Sequence, residues 1–156
     1  MRKSIVPSVS VHSAAVEPAW LDLERLARVE VSSEDPSHPV EEALRIGGRA
    51  GWRAGASGPQ TLRLRFDEPQ RLQRIRVHFE ETQHERPQEF VLRWSADGKS
   101  FSDIVRQQWN FSPSGSTKEA ENYVVALAGV SVLELYIVPD TSGGDARASL
   151  AELRIA

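Results

Sequence analysis

The chain of 156 residues contains no cysteine, so disulfide bonds and thiolate metal sites are both excluded. No apolar run reaches the roughly 20 residues that a membrane-spanning helix requires. Near the N-terminus, proline, serine and histidine interrupt residues 5–16, so no signal-peptide core is formed there. We therefore expect a cytoplasmic globular protein without a membrane span, an expectation that leaves other routes of export open.

Neither sign of charge dominates the sequence. Its 19 basic and 22 acidic residues leave a formal net charge of -3, which predicts no general attraction to nucleic acid or to an anionic membrane. Lysine is scarce, since Lys3, Lys99 and Lys118 are the only ones and every other basic residue is arginine. A GC-rich coding sequence would produce this bias, and so would a need for planar guanidinium groups that recognise sugars or carboxylates.

Familiar catalytic and cofactor motifs are missing as well. The glycines of "ALRIGGRAGWRA" (residues 43–54) lack the spacing of a phosphate-binding loop, and no Gly-x-Ser-x-Gly nucleophile elbow is present. The four histidines show no metal-ligand spacing. Glu80, Glu81 and Glu85 could supply paired carboxylates, but a run of loop acids is usually solvated. We therefore expect no enzyme, no cofactor and no bound metal.

What the sequence does contain is an alternation of apolar and polar residues. Leu62, Leu64 and Phe66 share one face of "TLRLRF", and arginines occupy the other face. The same period of two recurs in "RIRVHF" and "FVLRWS", and it is typical of half-buried antiparallel strands. The other candidate strands are residues 27–31, 123–127, 132–138 and 152–155. The pattern predicts an all-β protein, a jelly-roll β-sandwich of about eight mainly antiparallel strands.

Turn residues separate the candidate strands. Residues 67–70 ("DEPQ") divide the first two, and Asp97-Gly98 predicts a tight hairpin turn because these residues readily adopt positive φ angles. Helical periodicity is weak and short, in residues 20–27 and 39–45. The sequence therefore predicts a fold with few helical residues.

Long connections are a second feature of the chain. We expect residues 1–18 to be an extended lead-in and residues 19–156 to form the single domain. In sandwiches, binding residues concentrate on loops that the sheets hold in place. The long predicted loops are residues 80–88, 106–122 and 139–149.

Several short motifs follow one another in a specific order from residue 27 to the end. "VEVSSED" comes first, then "GWRA" before "PQTLRLRF", "IRVHF", "EFVLRWSADGKSF" and the closing "ASLAELRI". Their order and spacing resemble the discoidin family (coagulation factor 5/8 type C domains), a galactose-binding-like family that overlaps carbohydrate-binding modules. The resemblance implies a jelly-roll sandwich that acts as a non-catalytic binding module. It implies a carbohydrate ligand, with a protein–protein interaction domain in an intracellular assembly as the alternative.

The resemblance also gives an interpretation of "ALRIGGRAGWRA". Many relatives hold a structural calcium with an aspartate seven residues before the tryptophan and a glutamate near the C-terminus. Here Arg45 stands seven residues before Trp52, and the glutamate matches Glu152. A guanidinium removes one oxygen ligand and repels an ion that prefers six to eight of them. We therefore expect a degenerate site in which Arg45 and Glu152 form a charge-assisted pair, with Trp52 in the core.

The expected ligand site lies on loops at one end of the sandwich, as in glycan-binding relatives. Sugar recognition needs an apolar ring face for stacking and bidentate polar groups for the hydroxyls. We expect loops 34–39, 80–88 and 106–117 to meet there. The candidate ligand-binding residues are His38, Glu81, His84, Arg86, Trp109 and Asn110.

Each of these candidates also has an ordinary structural interpretation. Trp109 and its neighbour Phe111 would pack against the sandwich if their loop folded back. His84 and Arg86 would be solvated, or paired locally with Glu85, if the loop had no ligand. The asparagine that relatives carry in the second loop is missing, which argues against galactose-type recognition.

Overall fold

The computed structural model describes residues 19–156, so the expected lead-in of residues 1–18 lies outside the described residues. Two one-turn helices and eight strands make up the domain. The helices are α1 (Leu23–Leu26) and α2 (Glu41–Leu44). The strands are β1 (Ala27–Val31), β2 (Trp52–Ser57), β3 (Gln60–Glu80), β4 (Arg86–Ser95), β5 (Ser102–Phe111), β6 (Lys118–Val138), β7 (Arg147–Leu150) and β8 (Glu152–Ile155).

The two longest strands, β3 and β6, organise the sandwich. The first half of β3 pairs with β1 and with the second half of β6, in the strand order β1-β3-β6-β4-β5. The second half of β3 pairs instead with β8 and with the first half of β6. All of these pairings are antiparallel, and β2 and β7 form a separate antiparallel pair. The predicted all-β jelly-roll sandwich is confirmed.

The predicted break at residues 67–70 is wrong. β3 runs through this segment, and register shifts against β6 between Arg65 and Arg74 take the place of a turn. Pro69 has no backbone N–H to donate, so it is accommodated where the regular ladder is interrupted. Likewise, residues 123–127 and 132–138 are parts of the one strand β6. A pattern of turn residues does not distinguish a chain that reverses from a strand that bends.

The predicted strand faces are confirmed by burial. Leu62, Leu64 and Phe66 point into the core, and Trp52 is buried there with its indole N–H donating to the carbonyl oxygen of Ser33 at 3.1 Å. The core also takes Ile75, Val77 and Phe79 from the second half of β3 and Phe90 and Leu92 from β4. Apolar side chains from both halves of β3 thus meet in one cluster, which ties the two layers together.

The hairpin between β4 and β5 forms as predicted. Gly98 has a φ of +78°, which a residue with a side chain rarely adopts. The carboxylate of Asp97 accepts hydrogen bonds from the backbone N–H groups of Lys99 and Ser100, at 2.8 Å each. Asp97 therefore fixes the turn, and the turn sets the register of β4 against β5.

The predicted loop at residues 106–122 is mostly strand. β5 continues to Phe111 and β6 begins at Lys118, so residues 112–117 are all that remains of the connection. Gln107, Trp109 and Phe111 are the more buried residues at this end of β5, and they alternate with exposed ones. The period of two was present, but polar residues on both faces concealed it. No helix within residues 19–156 is long and apolar enough to cross a membrane.

Candidate functional site

The principal concavity lies where two connections and a strand pair meet. Residues 80–86 form one wall, residues 139–147 form another, and β2 with β7 closes the third side around a volume of about 450 Å³. We call it the end pocket. Residues 34–39 run beside it, because Arg53 on β2 exchanges backbone hydrogen bonds with Asp35 (2.8 Å) and His38 (3.2 Å).

Arg86 forms the base of the end pocket and is held firmly from within. Its side chain is 2% exposed, and its Nε donates to Glu81 Oε1 at 2.7 Å. Nη1 donates to Gln88 Oε1 at 2.9 Å and to the carbonyl oxygen of Pro139, and the guanidinium lies over the ring of Phe111 at 4.9 Å. Within residues 19–156, Nη2 makes no hydrogen bond. Arg86 is therefore a fixed and nearly fully buried guanidinium in the lining of the pocket.

Glu81 shapes the wall that carries His84. Its second oxygen accepts hydrogen bonds from the backbone N–H groups of Gln83 (3.0 Å) and His84 (3.2 Å). Burial raises the pKa of Glu81, but the hydrogen bond from Arg86 and those from the two backbone groups outweigh burial and hold the pKa below its ordinary value. Glu81 is thus an ionised organiser of the loop.

The rim of the end pocket carries charges that form no close ion pair within the described chain, although the hydrogen bonds from Ser37 and, more weakly, the charge of Arg147 lower the pKa of Asp35. Arg53 on β2 and Arg147 on β7 are exposed, and neither forms an ion pair with any residue of the described chain. Glu85 and Asp145 are exposed acids that likewise have no ion-pair partner in that part of the chain. Asp140, by contrast, accepts hydrogen bonds from the side chain and the backbone of Ser142. Free donors and acceptors therefore surround one concavity.

The structure brings together three of the candidate ligand-binding residues. Glu81, His84 and Arg86 all line the end pocket. His38 lies beside it, where its imidazole is 3.8 Å from Asp35, but it does not line the pocket. Arg86 does not pair with Glu85, since its carboxylate partner is Glu81.

Trp109 and Asn110 do not line the end pocket, so the expected grouping of Trp109 with His84 is wrong. Both residues belong to β5, where Trp109 lies opposite Gln88 and Asn110 opposite Pro87. The ring of Trp109 packs against the core, and Asn110 is exposed. A strand fixes side-chain directions in a way that a loop does not, and the loop assignment was the source of the error.

Sequence reasoning missed Arg53, Arg147 and the acids of the third connection. Residues 139–149 were recognised as a long loop, but none of their side chains was singled out. Arg53 follows Trp52 directly, and strand alternation turns it outward while the tryptophan enters the core. That alternation was the available signal, although it does not reveal that β7 lies alongside.

The expected pair between Arg45 and Glu152 is not formed. Arg45 binds Glu24 at 3.2 Å and Glu42 at 2.9 Å on the surface. Glu152 lies 3.5 Å from Arg76 and from Arg154 instead. The guanidinium that enters this loop belongs to β8.

Arg154 cross-links the loop that resembles a calcium loop. Its Nη1 donates to the carbonyl oxygens of Ala43 and Leu153 and its Nη2 to that of Arg45, each at 3.0 Å. Gly51, at a φ of +67°, lets the same loop pass so close to β7 that a Cβ would lie 2.7 Å from the carbonyl oxygen of Leu150. The carbonyl oxygens of Ala43 and Arg45 already have the guanidinium of Arg154 as their cationic partner. In residues 19–156, no cluster of acids and histidines suits a metal ion. The residues present do not fit calcium.

Comparison with known proteins places this geometry in a family. The chain has the fold of a pectin-binding carbohydrate-binding module, at 19% identity over 83% of this chain and 89% of that one, with a TM-score of 0.60. It also has the fold of the family 32 module of C. perfringens NanJ, solved with galactose (14% identity, 87% and 96% covered, TM-score 0.60). A third similar structure is the family 32 module of AlyQ with 4,5-unsaturated mannuronic acid (17% identity, 89% and 98% covered, TM-score 0.57). No curated protein sequence matches the chain.

The family assignment rests on most of the chain. The model of the F5/8 type C domain matches residues 28–153, which run from β1 into β8. Over that range the chain contains both long strands, the end pocket and the loop that Arg154 cross-links. The protein belongs to the F5/8 type C (discoidin) domain family.

Proposed function

We propose that this protein is a non-catalytic carbohydrate-binding module that takes its ligand in the end pocket. The observation that carries the proposal is Arg86, a guanidinium fixed by Glu81, Gln88 and Pro139 in the lining of an open concavity. A donor that is already immobilised loses little conformational entropy when it binds a hydroxyl or a carboxylate. Ordinary core arginines do not end at a pocket.

We infer an acidic sugar from Arg53 and Arg147, whose exposed guanidinium groups would bind its carboxylate, although the lining as a whole has five acids against three arginines. Glu81 is occupied by Arg86, Asp140 is tied to Ser142, and Glu80 lies 3.4 Å from His78. Arg53 and Arg147 keep free guanidinium forks, which match a carboxylate in geometry and charge. Similar modules solved for pectin binding and with 4,5-unsaturated mannuronic acid support this ligand class. Glu85 and Asp145 remain as acceptors for hydroxyls.

The pocket has no phenylalanine, tyrosine or tryptophan ring in its lining, and this feature limits the expected affinity. Stacking on a ring face contributes much of the apolar contact in sugar recognition. A polar pocket of this kind should bind a single sugar with a Kd of roughly 0.1–1 mM, or about -4 to -5.5 kcal/mol. Tighter binding would then need several sugars or several modules on one polymer.

The state of the carboxylates argues against glycoside hydrolysis. A glycosidase needs one carboxylic acid that stays protonated near neutral pH beside a second carboxylate. In the end pocket, Glu81 is held ionised by Arg86 and cannot serve as that acid. The described acid with a strongly raised pKa, Glu119, lies in the interior and does not line the pocket.

A binding experiment tests the proposal directly. The protein is titrated with oligogalacturonate and with galactose and followed by NMR. The backbone signals of residues 80–86 and 139–147 should shift, and the acidic sugar should shift them at a lower concentration than galactose does. Arg147→Ala should weaken this binding by about tenfold, because an unopposed charge-assisted pair is lost. Arg28→Ala is the matched control, since Arg28 is also an exposed strand arginine but lies outside the end pocket.

Two outcomes would contradict the proposal. Signals that move only outside the end pocket would place the ligand elsewhere, and equal losses in both arginine variants would reduce the effect to general charge. A chain that binds no glycan in the titration or on a glycan array would favour the protein-interaction alternative.

A further inference from the structure

Several of the buried polar atoms that lack a hydrogen-bond partner in residues 19–156 belong to strands that meet beside the end pocket. Glu119 is 1% exposed, and neither of its carboxyl oxygens has a hydrogen-bond partner within the described chain. The side-chain N–H groups of Gln88 and Trp109 and the hydroxyl of Tyr123 are buried without partners in the same way. We call these four residues the interior cluster. Buried polar groups are nearly always paired, so such a group of exceptions requires an explanation.

The strand register places the interior cluster between the two layers. Glu119 on β6 lies opposite the core residue Phe79 on β3, and Tyr123 lies opposite Ile75. From the other layer, Gln88 on β4 lies opposite Trp109 on β5. The cluster is therefore an internal feature built by three strands.

Gln88 connects the interior cluster to the end pocket. Its Oε1 accepts the 2.9 Å hydrogen bond from Arg86 Nη1, while its Nε2 belongs to the cluster. Burial is the largest cause that raises the pKa of Glu119, to about 8, and the neighbouring carboxylate of Glu121 raises it further, whereas the amide of Gln88 lowers it. Gln88 thus contacts the pocket arginine at one end of its amide and interacts with Glu119 at the other.

We propose that Glu119 is a positioning residue for the end pocket, which acts on Arg86 through the amide of Gln88 and makes the hold on the guanidinium depend on a proton. When Glu119 is ionised, it accepts from Gln88 Nε2, which fixes the amide with its oxygen toward Arg86. Hydrogen bonds in such a chain strengthen one another. When Glu119 is protonated, its hydroxyl donates to Glu121, and its remaining carbonyl oxygen is an uncharged, weaker acceptor for the amide of Gln88, so the orientation of that amide is held less firmly.

The groups that face Glu119 allow this exchange. Glu121 and Tyr123 approach from β6 itself and Gln88, with Arg86 behind it, from β4, while β3 places the apolar ring of Phe79 opposite Glu119. Among these, Arg86 is the sole cation, and it is already paired with Glu81. Tyr123 stays neutral, because burial and the charges of Glu121 and Glu119 raise its pKa. A proton is therefore the available means of neutralising Glu119.

The first test needs no ligand and so stands apart from the proposed glycan binding. With ¹³C-labelled full-length protein, the carboxyl carbon of Glu119 and the Cζ of Arg86 are followed from pH 6 to 9.5. We expect both signals to titrate with one midpoint near pH 8. In Glu119→Gln the Arg86 step should vanish. In Glu121→Gln both midpoints should fall by about one pH unit, because a like charge next to Glu119 is removed.

The consequence for the ligand is a second readout that rests on the proposed function. The Kd for oligogalacturonate should decrease by about threefold between pH 7 and 9 in the wild type and stay constant in Glu119→Gln. An Arg86 signal that does not move, or that moves equally in Glu119→Gln, would overturn the proposal. A Kd for oligogalacturonate that does not change over the pH range in which the Arg86 signal titrates would also overturn the proposal. If no glycan binds, the NMR titration alone decides.

Discussion

Two of the charged side chains buried in this sandwich, Arg154 and Glu119, differ in how their lost solvation is replaced. Arg154 on β8 is 6% exposed, and its guanidinium donates to the backbone carbonyls of Ala43, Arg45 and Leu153. Glu119 on β6 is 1% exposed, and its carboxyl oxygens have no hydrogen-bond partner in residues 19–156. Burial removes water from both side chains, but only Arg154 makes hydrogen bonds to the protein in its place.

The difference explains why Arg154 stabilises the fold at every ordinary pH, whereas the charge of Glu119 changes with pH. Burial lowers the pKa of Arg154 but an arginine begins so high that it remains a cation, and Glu152 supports its charge. Glu119 begins at an ordinary pKa of 4.5, so burial and Glu121 move its titration to about 8, within reach of neutral pH. Arg154 is therefore a permanent cross-link, and Glu119 is a group whose charge varies with conditions.

Removal of Arg154 should have the largest effect. Arg154→Leu removes a donor from the carbonyl oxygens of Ala43, Arg45 and Leu153, of which that of Arg45 keeps the N–H of Gly48, and we expect a loss of about 3–5 kcal/mol in the free energy of unfolding. Urea titrations at pH 7 measure it, with Arg71→Leu as the control because Arg71 is exposed on β3. Equal midpoints for the two variants would show that the cross-link contributes nothing.

The pH dependence of stability tests the other side of the comparison. The folded pKa of Glu119, about 8, lies above its ordinary value of 4.5, so the folded protein binds more protons than the unfolded chain between these pH values. The contribution of Glu119 is fully favourable below pH 4.5 and is lost as pH rises toward 8. The free energy of unfolding should fall over this range by up to about 1.4 kcal/mol per pH unit.

Glu119→Gln should flatten that dependence and raise stability at pH 8, because the amide cannot ionise. Urea titrations at pH 5, 6.5 and 8 follow both proteins. Glu85→Gln serves as the control, since Glu85 is an exposed acid on the pocket rim. A wild-type slope that survives in Glu119→Gln would assign the effect to other groups.

The same distinction explains what could be predicted from the sequence. Alternation located the buried faces of β3 and β4, because a strand with one apolar face has one stable orientation. It failed for β5, where Gln107 and Trp109 alternate with Arg106 and Gln108 and both faces look polar. Trp109 was therefore assigned to a ligand loop, although it packs on the core.

The loop around Trp52 was located correctly, but its cation was misassigned. Counting back from Trp52 selects Arg45, whereas the side chain that enters the loop is Arg154, more than 100 positions away in the sequence. Alternation along β8 gives no hint of this, because Leu153, Arg154 and Ile155 are all buried. Long-range partners of this kind depend on topology, which local patterns do not contain.

A smaller effect is expected on the outer face of the large sheet, which carries the arginines that alternate with the core residues. Arg63 and Arg93 both bind the carboxylate of the buried Glu134, at 2.7 and 3.1 Å. Arg63→Ala should cost about 0.5–1 kcal/mol, since Arg93 remains and Arg63 is partly screened by solvent. Arg28→Ala on β1 should cost nothing measurable in the same urea titration. A loss equal to that of a core truncation such as Leu64→Ala, about 2–5 kcal/mol, would mean that Arg93 does not compensate.

The smallest expected effect is that of calcium on the melting temperature, where we expect no change. Arg154 already occupies the loop carbonyls of Ala43 and Arg45, and a cation placed there would be repelled by the guanidinium. Melting temperatures in 1 mM calcium and in excess EDTA should therefore agree. The comparison is sensitive, because a site with a Kd of 1 μM would stabilise the protein by about 4 kcal/mol at that concentration. A melting temperature that falls by several degrees in EDTA and recovers with calcium would show that Arg154 leaves the loop to a metal.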